Sequence, residues 1–554
     1  MKKSKKLIAA LLASLMVLST AACSDGETQS SSSQQSGTNS SAAGETSSVE
    51  TSDTGEEGTY DTHVDLSWYK EGITGHEINY DGDAFGQFWQ DKFNVTIDLI
   101  AATMDGSDWT ERLRIWINSG DMPDVAHWAF NYGELADYAA HDAVYRFPDD
   151  WKERWPNVAK TQSYVPDAAV VEEKLGGTYV LFRTIFANHR PSERLSYHEL
   201  LYMRKDWMEA CGVEIKETYS PSELVEIAEK FRDQDPGGLG SQLVPISIRT
   251  CDIMKLYPYT DITPLDAYYK DENGQFQWAP ADERTLESLK KYQNLYTSGL
   301  LDPEFYTLTR YEGTEKFYIG GTAGIVLDDG MGYMIQSRME DGLQKNLGLD
   351  PDEVLHIAQL VGEDGKYHNR ESINFYGSII FSPNLTDEEF ERAMDILDFC
   401  STEEGQEIIN MGFEGEDWEL DENGEYVSLL PNEITGNASS ILGSKYPSAD
   451  VFFGGIIQGD DFQFVTPNYT KETRDIVSHF YELRDELSDE TTLLPREYDY
   501  EFYSSRAKTQ ANMDLSVEYA QLILKEGDLE TNWKNWVDEK MQLVQPFLDE
   551  LNQQ

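Results

Sequence analysis

Apolar and polar positions alternate with a period of two and then with helical spacing in the first part of the chain. Thr62–Lys70 alternates as a β-strand does, and the aromatic residues of Gly82–Phe93 recur on one helical face. The succession continues with a predicted strand, helix, strand and helix at Val95–Ala102, Asp108–Gly120, Asp124–Phe130 and Gly133–Asp142. This order predicts a parallel sheet with right-handed crossovers, and therefore an α/β fold.

The rest of the chain carries similar patterns, some with clear helix boundaries. Leu200–Val213 predicts a strand that leads into a helix, and Ser220–Asp235 predicts a helix. Ser220 is placed to cap that helix, Pro221 takes its first position and Glu223 closes a capping box. Further elements are predicted at Leu286–Phe305, Phe317–Gly330, Tyr376–Gly405, hairpins from Asp271 and Asp421, and an amphipathic C-terminal helix with Trp533 and Trp536.

Length and charge narrow the class of protein. The chain has 554 residues, and the roughly 490 that follow its polar N-terminal segment exceed one hydrophobic core, which predicts two or more lobes. Lys and Arg number 44 against 101 Asp and Glu, a net charge of −57. Such a charge argues against nucleic acid, anionic polymers and anionic lipid surfaces as partners. The four cysteines are too widely spaced to predict a disulfide framework or a zinc site.

The N-terminus has the features of an export signal. Lys2, Lys3, Lys5 and Lys6 precede the apolar run Leu7–Leu18, which is too short for a transmembrane helix and suits a signal peptide. Small residues then lead to Cys23 in a stretch that resembles the lipobox of bacterial lipoproteins, with Thr20 in place of the usual Leu. We expect a signal peptide at 1–22 and lipid on Cys23. The alternative is an ordinary signal peptide with an incidental cysteine.

Residues 23–61 are rich in Ser, Thr, Gly and acidic residues, with no Lys or Arg. Such a segment cannot bury enough apolar surface to offset its ordering entropy, so it is expected to be a disordered tether. Lipid and tether together predict a body held at the extracytoplasmic face of the cell membrane by the lipid anchor only.

Aromatic residues lie at two predicted strand ends. In open α/β sheets, ligands sit beyond the carboxyl ends of the strands. The first strand ends near Trp68 and the third near Trp128, with Asn131 and Tyr132 directly after it. Aromatic rings beside an amide suit a sugar, because a pyranose face stacks on a ring and its hydroxyls need polar partners. The alternative for each ring is ordinary core packing.

Several segments together resemble a known family. In chain order they are INSGDMPDV, LYMRKDWMEACGV, LYTSGLLDPE, FYIGGTAGIV and DFCSTEEGQEIINMGFEGEDW. They resemble the signatures of extracellular solute-binding lipoproteins of ABC sugar importers, over the chain from about Thr62 to the C-terminus. The resemblance implies the type-2 periplasmic-binding fold, in which two α/β lobes enclose an interlobe ligand cleft and are joined by a hinge.

The resemblance also implies roles for particular residues. The loop after GGTAGI carries a ligand-contacting aromatic in maltose-binding relatives, and here it holds Asp329 and Tyr333 without the expected Trp. The GFEGEDW region implies that Glu414 and Trp418 lie near the cleft mouth. Relatives often carry a calcium loop after the EIAEKF helix. Here only Asp233 and Asp235 remain of its ligands, so no metal and no other cofactor is expected.

The implied domain organisation divides the body into alternating segments. The first lobe is predicted at 62–180 and returns at 376–420. The second lobe is predicted at 181–375 and at 421–554, where its long C-terminal helices lie. A monomer is expected, and its expected partners are the permease subunits of an ABC transporter and a carbohydrate, in particular a neutral oligosaccharide.

Other functions remain open at this point. A binding protein that serves a sensor system, or one for peptides, would share most of these features. A secreted glycoside hydrolase would need two carboxylates across a cleft, but 101 acidic residues make any such pair uninformative. No G-x-S-x-G, H-E-x-x-H or G-x-x-x-x-G-K-[ST] motif is present in the sequence. The chain is therefore not expected to be an enzyme.

Overall fold

The structure is a computed structural model of the full chain. It describes residues 60–70, 82–101, 108–128, 131–187, 199–248, 267–308, 311–370, 373–430, 438–451, 460–494, 497 and 499–553. These residues belong to one compact unit, Tyr60–Gln554. The predicted signal peptide, Cys23 and nearly all of the predicted tether lie outside the described residues.

The first part of the chain alternates strands and helices as predicted. Its elements are β1 (Val64–Lys70), α1 (Ala84–Phe93), β2 (Val95–Ala101), α2 (Asp108–Ser119), β3 (Val125–Trp128), α3 (Tyr132–Ala140), α4 (Trp151–Arg154), α5 (Pro156–Gln162), α6 (Pro166–Leu175) and β4 (Leu181–Thr184).

The middle part contains more short strands. Its elements are β5 (Glu199–Arg204), α7 (Lys205–Ala210), β6 (Thr218–Tyr219), α8 (Pro221–Gln234), β7 (Val244–Ser247), β8 (Tyr268–Lys270), β9 (Phe276–Trp278), α9 (Glu283–Thr297), α10 (Glu312–Tyr318), β10 (Ala323–Asp329), α11 (Gly332–Ser337), a π-helix (Arg338–Asn346), α12 (Pro351–Val354), β11 (Leu355–Leu360) and β12 (Asn369–Arg370).

The last part is mainly helical. Its elements are β13 (Phe375–Phe381), α13 (Asp387–Cys400), α14 (Glu403–Met411), β14 (Trp418–Leu420), β15 (Tyr426–Ser428), α15 (Ala438–Lys445), α16 (Lys471–Glu486), β16 (Leu493–Leu494), α17 (Arg506–Ala511), α18 (Leu515–Leu524) and α19 (Leu529–Leu551). Short 3-10 helices lie at Gly240–Gln242, Ala279–Ala281, Pro447–Val451, Asp460–Phe464 and Asp499–Phe502.

The described residues contain two five-stranded sheets. The first has the strand order β2-β1-β3-β13-β4, and β1 pairs in parallel with both β2 and β3, as the sequence predicts. The strand β13 returns from late in the chain and pairs antiparallel with β3 and β4. The second sheet has the order β6-β11-β5-β10-β7, in which β5 is antiparallel to both of its neighbours.

Each sheet is covered by apolar side chains on both faces, because successive strand residues point to opposite sides. In β1, Leu66 and Trp68 enter one cluster and Tyr69 enters another. In β5, Leu201 and Met203 face one cluster, whereas Tyr202 faces the other. The two sheets therefore form the cores of two lobes. We call the first lobe 60–185 with 375–451, and the second lobe 199–361 with 460–553.

The predicted lobe boundaries at 181 and 421 are wrong. The segment Leu181–Thr184 pairs with β13 at the edge of the first sheet, so the first lobe continues past residue 180. After residue 421, Leu430, Leu442 and Tyr446 pack into the first-lobe core. The chain therefore returns to the second lobe only after residue 451. A short strand that is buried along its whole length, such as β4, suits either sheet, and its pairing partner lies far away in the sequence.

Asn374 fastens two of the crossings between the lobes. Its side chain accepts a hydrogen bond from the Phe186 amide at 2.9 Å, and donates to the carbonyls of Tyr164 and Phe186 at 2.9 and 3.0 Å. The side chain is only 2% exposed. Both the oxygen and the nitrogen of the Asn374 side chain thus form hydrogen bonds at the point where the chain leaves the first lobe. This point is the hinge region of the molecule.

The predicted capping residues of α8 are confirmed, and a second helix begins with the same motif. Ser220 and Glu223 form the capping box, with Pro221 at the first helical position. A second capping box, formed by Thr386 and Glu389, begins α13. The predicted C-terminal helix is α19, and its Trp533 and Trp536 side chains are buried in the second-lobe core.

Candidate functional site

The carboxyl ends of the strands define where a ligand would sit. In the first lobe β1 ends at Lys70 and β3 at Trp128, and in the second lobe β10 ends at Asp329. The segments 71–81 and 129–130, which follow β1 and β3, lie outside the described residues. The described residues therefore show the strand ends and the walls beside them.

Two of the predicted aromatic positions have different surroundings. Trp68 is 0% exposed and packs in the first-lobe core with Leu66, Phe85 and Trp89. Its ring has no face open to a ligand in this structure, which favours the core-packing alternative. Trp128 is the last residue of β3, where it pairs with Ser378, and its side chain is outside the described part.

Asn131 and Tyr132 begin helix α3 directly after the third strand. The Asn131 side chain is exposed and caps the helix, because its Oδ1 accepts the Glu134 amide hydrogen at 3.0 Å. Tyr132 is buried, and its hydroxyl donates to the Asp167 carboxylate. The Tyr132 ring also lies 5.1 Å from that of Phe502, a second-lobe residue. Tyr132 thus contributes to a contact between the lobes.

The predicted pair in the second lobe lies at the end of β10. Asp329 is half-buried, and its carbonyl accepts a hydrogen bond from the Tyr202 hydroxyl at 2.6 Å. Tyr333 is half-buried in the first turn of α11. The neighbouring Asp328 is fully buried and pairs with Arg338 Nε at 3.2 Å. These residues lie together at a strand end, as the resemblance implies.

Glu414 and Trp418 lie on opposite sides of a turn in the first lobe. Glu414 is exposed, whereas Trp418 is 3% exposed and its Nε1 donates to the Gly412 carbonyl at 2.9 Å. The Trp418 ring packs in a small cluster with Met411 and Phe462, and Phe462 belongs to the second lobe. Trp418 therefore contributes to a second contact between the lobes.

The two interlobe contacts lie beside opposite faces of the first sheet. Tyr132 and Phe502 join the cluster that includes Tyr69 and Ala126, and an ion pair between Lys174 and Asp499 at 3.5 Å adds to this contact. Trp418 lies on the other side, on the segment that follows α14, and α14 places Ile408 in the cluster of Trp68. The strand ends of the first lobe are therefore flanked by second-lobe residues on both sides.

A cavity of about 740 Å³ lies beside the Tyr132 contact. Its first-lobe wall consists of Arg114, Asn131, Glu134 and Asp137. Its second-lobe wall consists of Ala267, Tyr268, Trp278, Tyr500, Glu501, Tyr503, Ser504, Lys508, Thr509, Ala511, Asn512, Met513 and Leu515. The volume lies within the range of about 300–1,000 Å³ that is typical of ligand sites.

The two cationic groups of this cavity have hydrogen-bond partners in the protein. Arg114 Nε donates to the Glu134 carboxylate at 2.8 Å, and Lys508 Nζ donates to the main-chain carbonyl of Glu501 at 2.9 Å. Burial lowers the pKa of the Lys508 amine and raises the pKa of the Tyr268 hydroxyl. The lining thus combines aromatic rings with polar groups, and its cations already have partners, which suits an uncharged polar ligand.

Of the residues that the sequence predicts to bind a ligand, Asn131 lines this cavity, whereas no residue of the second-lobe wall was predicted. The signal was present in the run EYDYEFYSS at 497–505, which supplies Tyr500 and Tyr503. These rings follow no predicted strand, because their segment is a 3-10 turn whose position depends on packing against α3. Only the three-dimensional arrangement brings the run to Asn131.

The predicted degenerate calcium loop is closed by hydrogen bonds of its own. Asp235 accepts the amide hydrogens of Leu239 and Gly240 at 2.8 and 2.9 Å, and Asp233 pairs with Arg232 at 2.7 Å. Within the described ranges, no group of three or more His, Cys, Asp or Glu side chains is arranged to hold a metal ion. In the same ranges no helix combines the length and apolarity needed to cross a bilayer.

Comparison with known sequences gives two distant relatives and no matching protein-family model. The chain is 24% identical over 245 residues to lipoprotein LipO of Bacillus subtilis, a match that covers 42% of this chain and 46% of LipO. It is 25% identical over 211 residues to FusA, the fructooligosaccharide ABC transporter substrate-binding protein of Streptococcus pneumoniae, covering 36% of this chain and 38% of FusA. The chain thus matches less than half the length of either relative.

Solved structures match over most of the chain. The alginate-binding protein AlgQ2, solved without calcium ion, superposes with a TM-score of 0.63 at 15% identity and covers 89% of this chain and 98% of its own. A Streptococcus pneumoniae FusA EF-hand mutant in complex with fructo-nystose gives 0.60 at 18% identity, with 88% and 98% covered. A Bifidobacterium longum infantis solute-binding protein associated with human-milk-oligosaccharide transport gives 0.61 at 16%, with 88% and 98% covered. The two-lobed solute-binding-protein fold and the predicted resemblance are both confirmed.

Proposed function

We propose that this chain, which has the two-lobed fold of ABC-transporter solute-binding proteins, captures a carbohydrate between its lobes and delivers it to a membrane permease. The observation that carries the proposal is the cavity of about 740 Å³ whose walls come from both lobes. The relatives support it, because FusA is a substrate-binding protein for fructooligosaccharides rather than an enzyme.

The proposed mechanism is physical, with no covalent step. A ligand that contacts both walls is held more tightly when the lobes are closed, so it shifts the population towards the closed form. The closed form then presents a surface composed of both lobes to the permease. Contacts such as Tyr132 with Phe502 are the kind that closure forms.

The proposed ligand is a neutral oligosaccharide. The chain carries a net charge of −57, which repels anionic polymers at long range. The cationic groups of the cavity, Arg114 and Lys508, already have protein partners. Aromatic rings and neutral polar groups remain to contact pyranose or furanose faces and hydroxyls.

A panel of sugars tests this proposal. Isothermal titration calorimetry should be performed with fructooligosaccharides, human-milk oligosaccharides, high-mannose glycans and alginate oligosaccharides. We expect saturable binding of at least one neutral sugar and no alginate binding at physiological salt. If every sugar fails to bind while a peptide or another solute binds, the carbohydrate assignment is wrong. Alginate binding that survives high salt would contradict the neutral class.

We further propose that Cys23 carries the lipid that anchors the protein at the outer face of the membrane, and that the body acts as a monomer. The support is the apolar run Leu7–Leu18 followed by small residues and Cys23. Cys23→Ser should move the protein from the membrane to the soluble fraction in cells, with its melting temperature unchanged. Membrane retention of this variant would contradict the anchor.

A further inference from the structure

Three consecutive side chains of the 3-10 helix Asp460–Phe464 contact three different parts of the molecule. They belong to Phe462, Gln463 and Phe464. Phe462 packs with Met411 and Trp418 of the first lobe. Phe464 lies 5.6 Å from the Tyr481 ring in the second-lobe core. Between them, Gln463 Oε1 accepts the Gly332 amide hydrogen at 3.0 Å. Gly332 is the first residue of α11, which follows β10, so Gln463 is fixed near the carboxyl end of β10, beside the Trp418 contact. Gln463 does not line the cavity at the Tyr132 contact, so a ligand that uses both must extend along the cleft.

Two amide donors in this region have no hydrogen-bond acceptor. Gln463 is 4% exposed and Asn468 is 9% exposed, and neither Gln463 Nε2 nor Asn468 Nδ2 has a hydrogen-bond partner among the residues that the structure describes. Most buried side-chain polar groups do have a partner, so each exception calls for an explanation.

Both residues are anchored to helix α11. Gln463 Oε1 accepts the Gly332 amide hydrogen, whereas the main-chain carbonyl of Asn468 accepts a hydrogen bond from Gln336 Nε2 at 3.4 Å. Gly332 and Gln336 are four residues apart in α11, which is about one helical turn. The two buried donors therefore belong to residues that one short helix, the element after β10, holds in place.

We propose that Gln463 and Asn468 are ligand-binding residues whose amide groups donate hydrogen bonds to oxygen atoms of the captured carbohydrate. This inference rests on the proposed function. Neutral amide donors suit hydroxyl and ring oxygens, which accept hydrogen bonds without carrying charge. Because the donors find no acceptor in the protein, they gain a partner only when a ligand enters, which makes their contribution specific to the bound state.

Two substitutions separate ligand binding from a structural role. Asn468→Leu removes the donor at similar volume, and Gln463→Glu removes the donor but keeps the acceptor for Gly332. With the neutral sugar that the wild type binds in the calorimetric panel, we expect each variant to bind about 3- to 10-fold more weakly. The melting temperature of ligand-free Asn468→Leu should be unchanged or raised, because an unpaired buried donor has been removed.

Gln162→Leu is the matched control. Its amide is already used twice, since Nε2 donates to the Phe182 carbonyl and Oε1 accepts the Phe182 amide hydrogen, both at 2.8 Å. This variant should lose melting temperature, while its folded fraction keeps affinity. Wild-type affinity in both Asn468→Leu and Gln463→Glu would overturn the inference and leave the proposed function intact. If the wild type binds no sugar, both the proposed function and this inference fail.

Discussion

A single side chain, Trp68, separates the two interpretations of aromatic residues at strand ends. A ring that stacks on a sugar must expose one face, but Trp68 is 0% exposed and contacts core residues of the first lobe. Strand alternation explains this, since Trp68 points to the same side as Leu66 and is covered by α1. The position of Trp68 in the sequence could not reveal which face of the first sheet helix α1 covers.

Trp68→Ala should therefore act on stability. Removal of a fully buried Trp is expected to lower the free energy of unfolding by about 3–5 kcal/mol, which urea denaturation measures. Ile115→Ala is the control, because Ile115 is 66% exposed and its loss should change little. Reduced sugar affinity in a Trp68→Ala protein with wild-type stability would return Trp68 to the ligand site.

The carboxylate of Asp282 contributes to the free energy of unfolding in a way that depends on pH. Arg284 donates to its carboxylate at 2.7 and 2.6 Å and Tyr269 at 2.7 Å, and these hydrogen bonds lower the Asp282 pKa from 3.8 to about 2. The shift corresponds to about 2 kcal/mol, which solvent screening reduces to about 1 kcal/mol.

Because the folded-state pKa is lowered, this stabilisation is present above about pH 4 and disappears as the pH falls towards 2. We expect Asp282→Asn to be about 1 kcal/mol less stable than the wild type at pH 7, with a difference that shrinks to near zero around pH 2. Urea denaturation of both proteins across this range measures the difference. A gap that stays constant with pH would show that the charge of Asp282 contributes nothing.

At the scale of the elements, the loop after α8 is held by hydrogen bonds at the place where the sequence resembles a calcium loop. Asp235 adopts the left-handed conformation at the helix end, with φ of 44°, and its carboxylate accepts two backbone amide hydrogens. Hydrogen bonds thus hold the loop without a cation. The sequence predicted the loss of calcium ligands but could not predict that Asp235 would close the loop itself.

Chelation tests this account of the loop. EDTA should leave the melting temperature unchanged. Asp235→Ala should cost about 1–2 kcal/mol through the lost backbone hydrogen bonds. Asp233→Ala is the matched control, because Asp233 is 63% exposed and forms only a surface ion pair, so its loss should change the stability little. A clear fall in melting temperature with EDTA would mean that the loop still binds metal.

The pattern of apolar and polar residues predicted most helices and strands, because capping residues and periodicity depend only on residues that are close in the sequence. The capping residues of α8, the alternation of β1 and the amphipathic C-terminal helix all depend on nearby side chains. The boundary at β4 failed for the opposite reason. Leu181–Thr184 is buried on both faces, and only its pairing with β13, about 190 residues later, assigns it to the first lobe.

At the scale of the whole molecule, the sequence predicted two lobes and the side of each sheet where a ligand would enter. Asn131, which the sequence predicts at the ligand site, lines the cavity. The opposite wall, with Tyr500 and Tyr503, and the buried amides of Gln463 and Asn468 were not predicted. Their positions depend on how turns of the second lobe pack against the first lobe and α11, which no local periodicity encodes.

The central claim is that a carbohydrate binds between the lobes and closes them. Small-angle X-ray scattering of the soluble Cys23→Ser protein, with and without a saturating neutral sugar identified by calorimetry, tests it most directly. The predicted result is a smaller radius of gyration with the bound sugar and no change with a non-binding sugar of the same size. A sugar that binds tightly and leaves the radius of gyration unchanged would contradict capture by lobe closure.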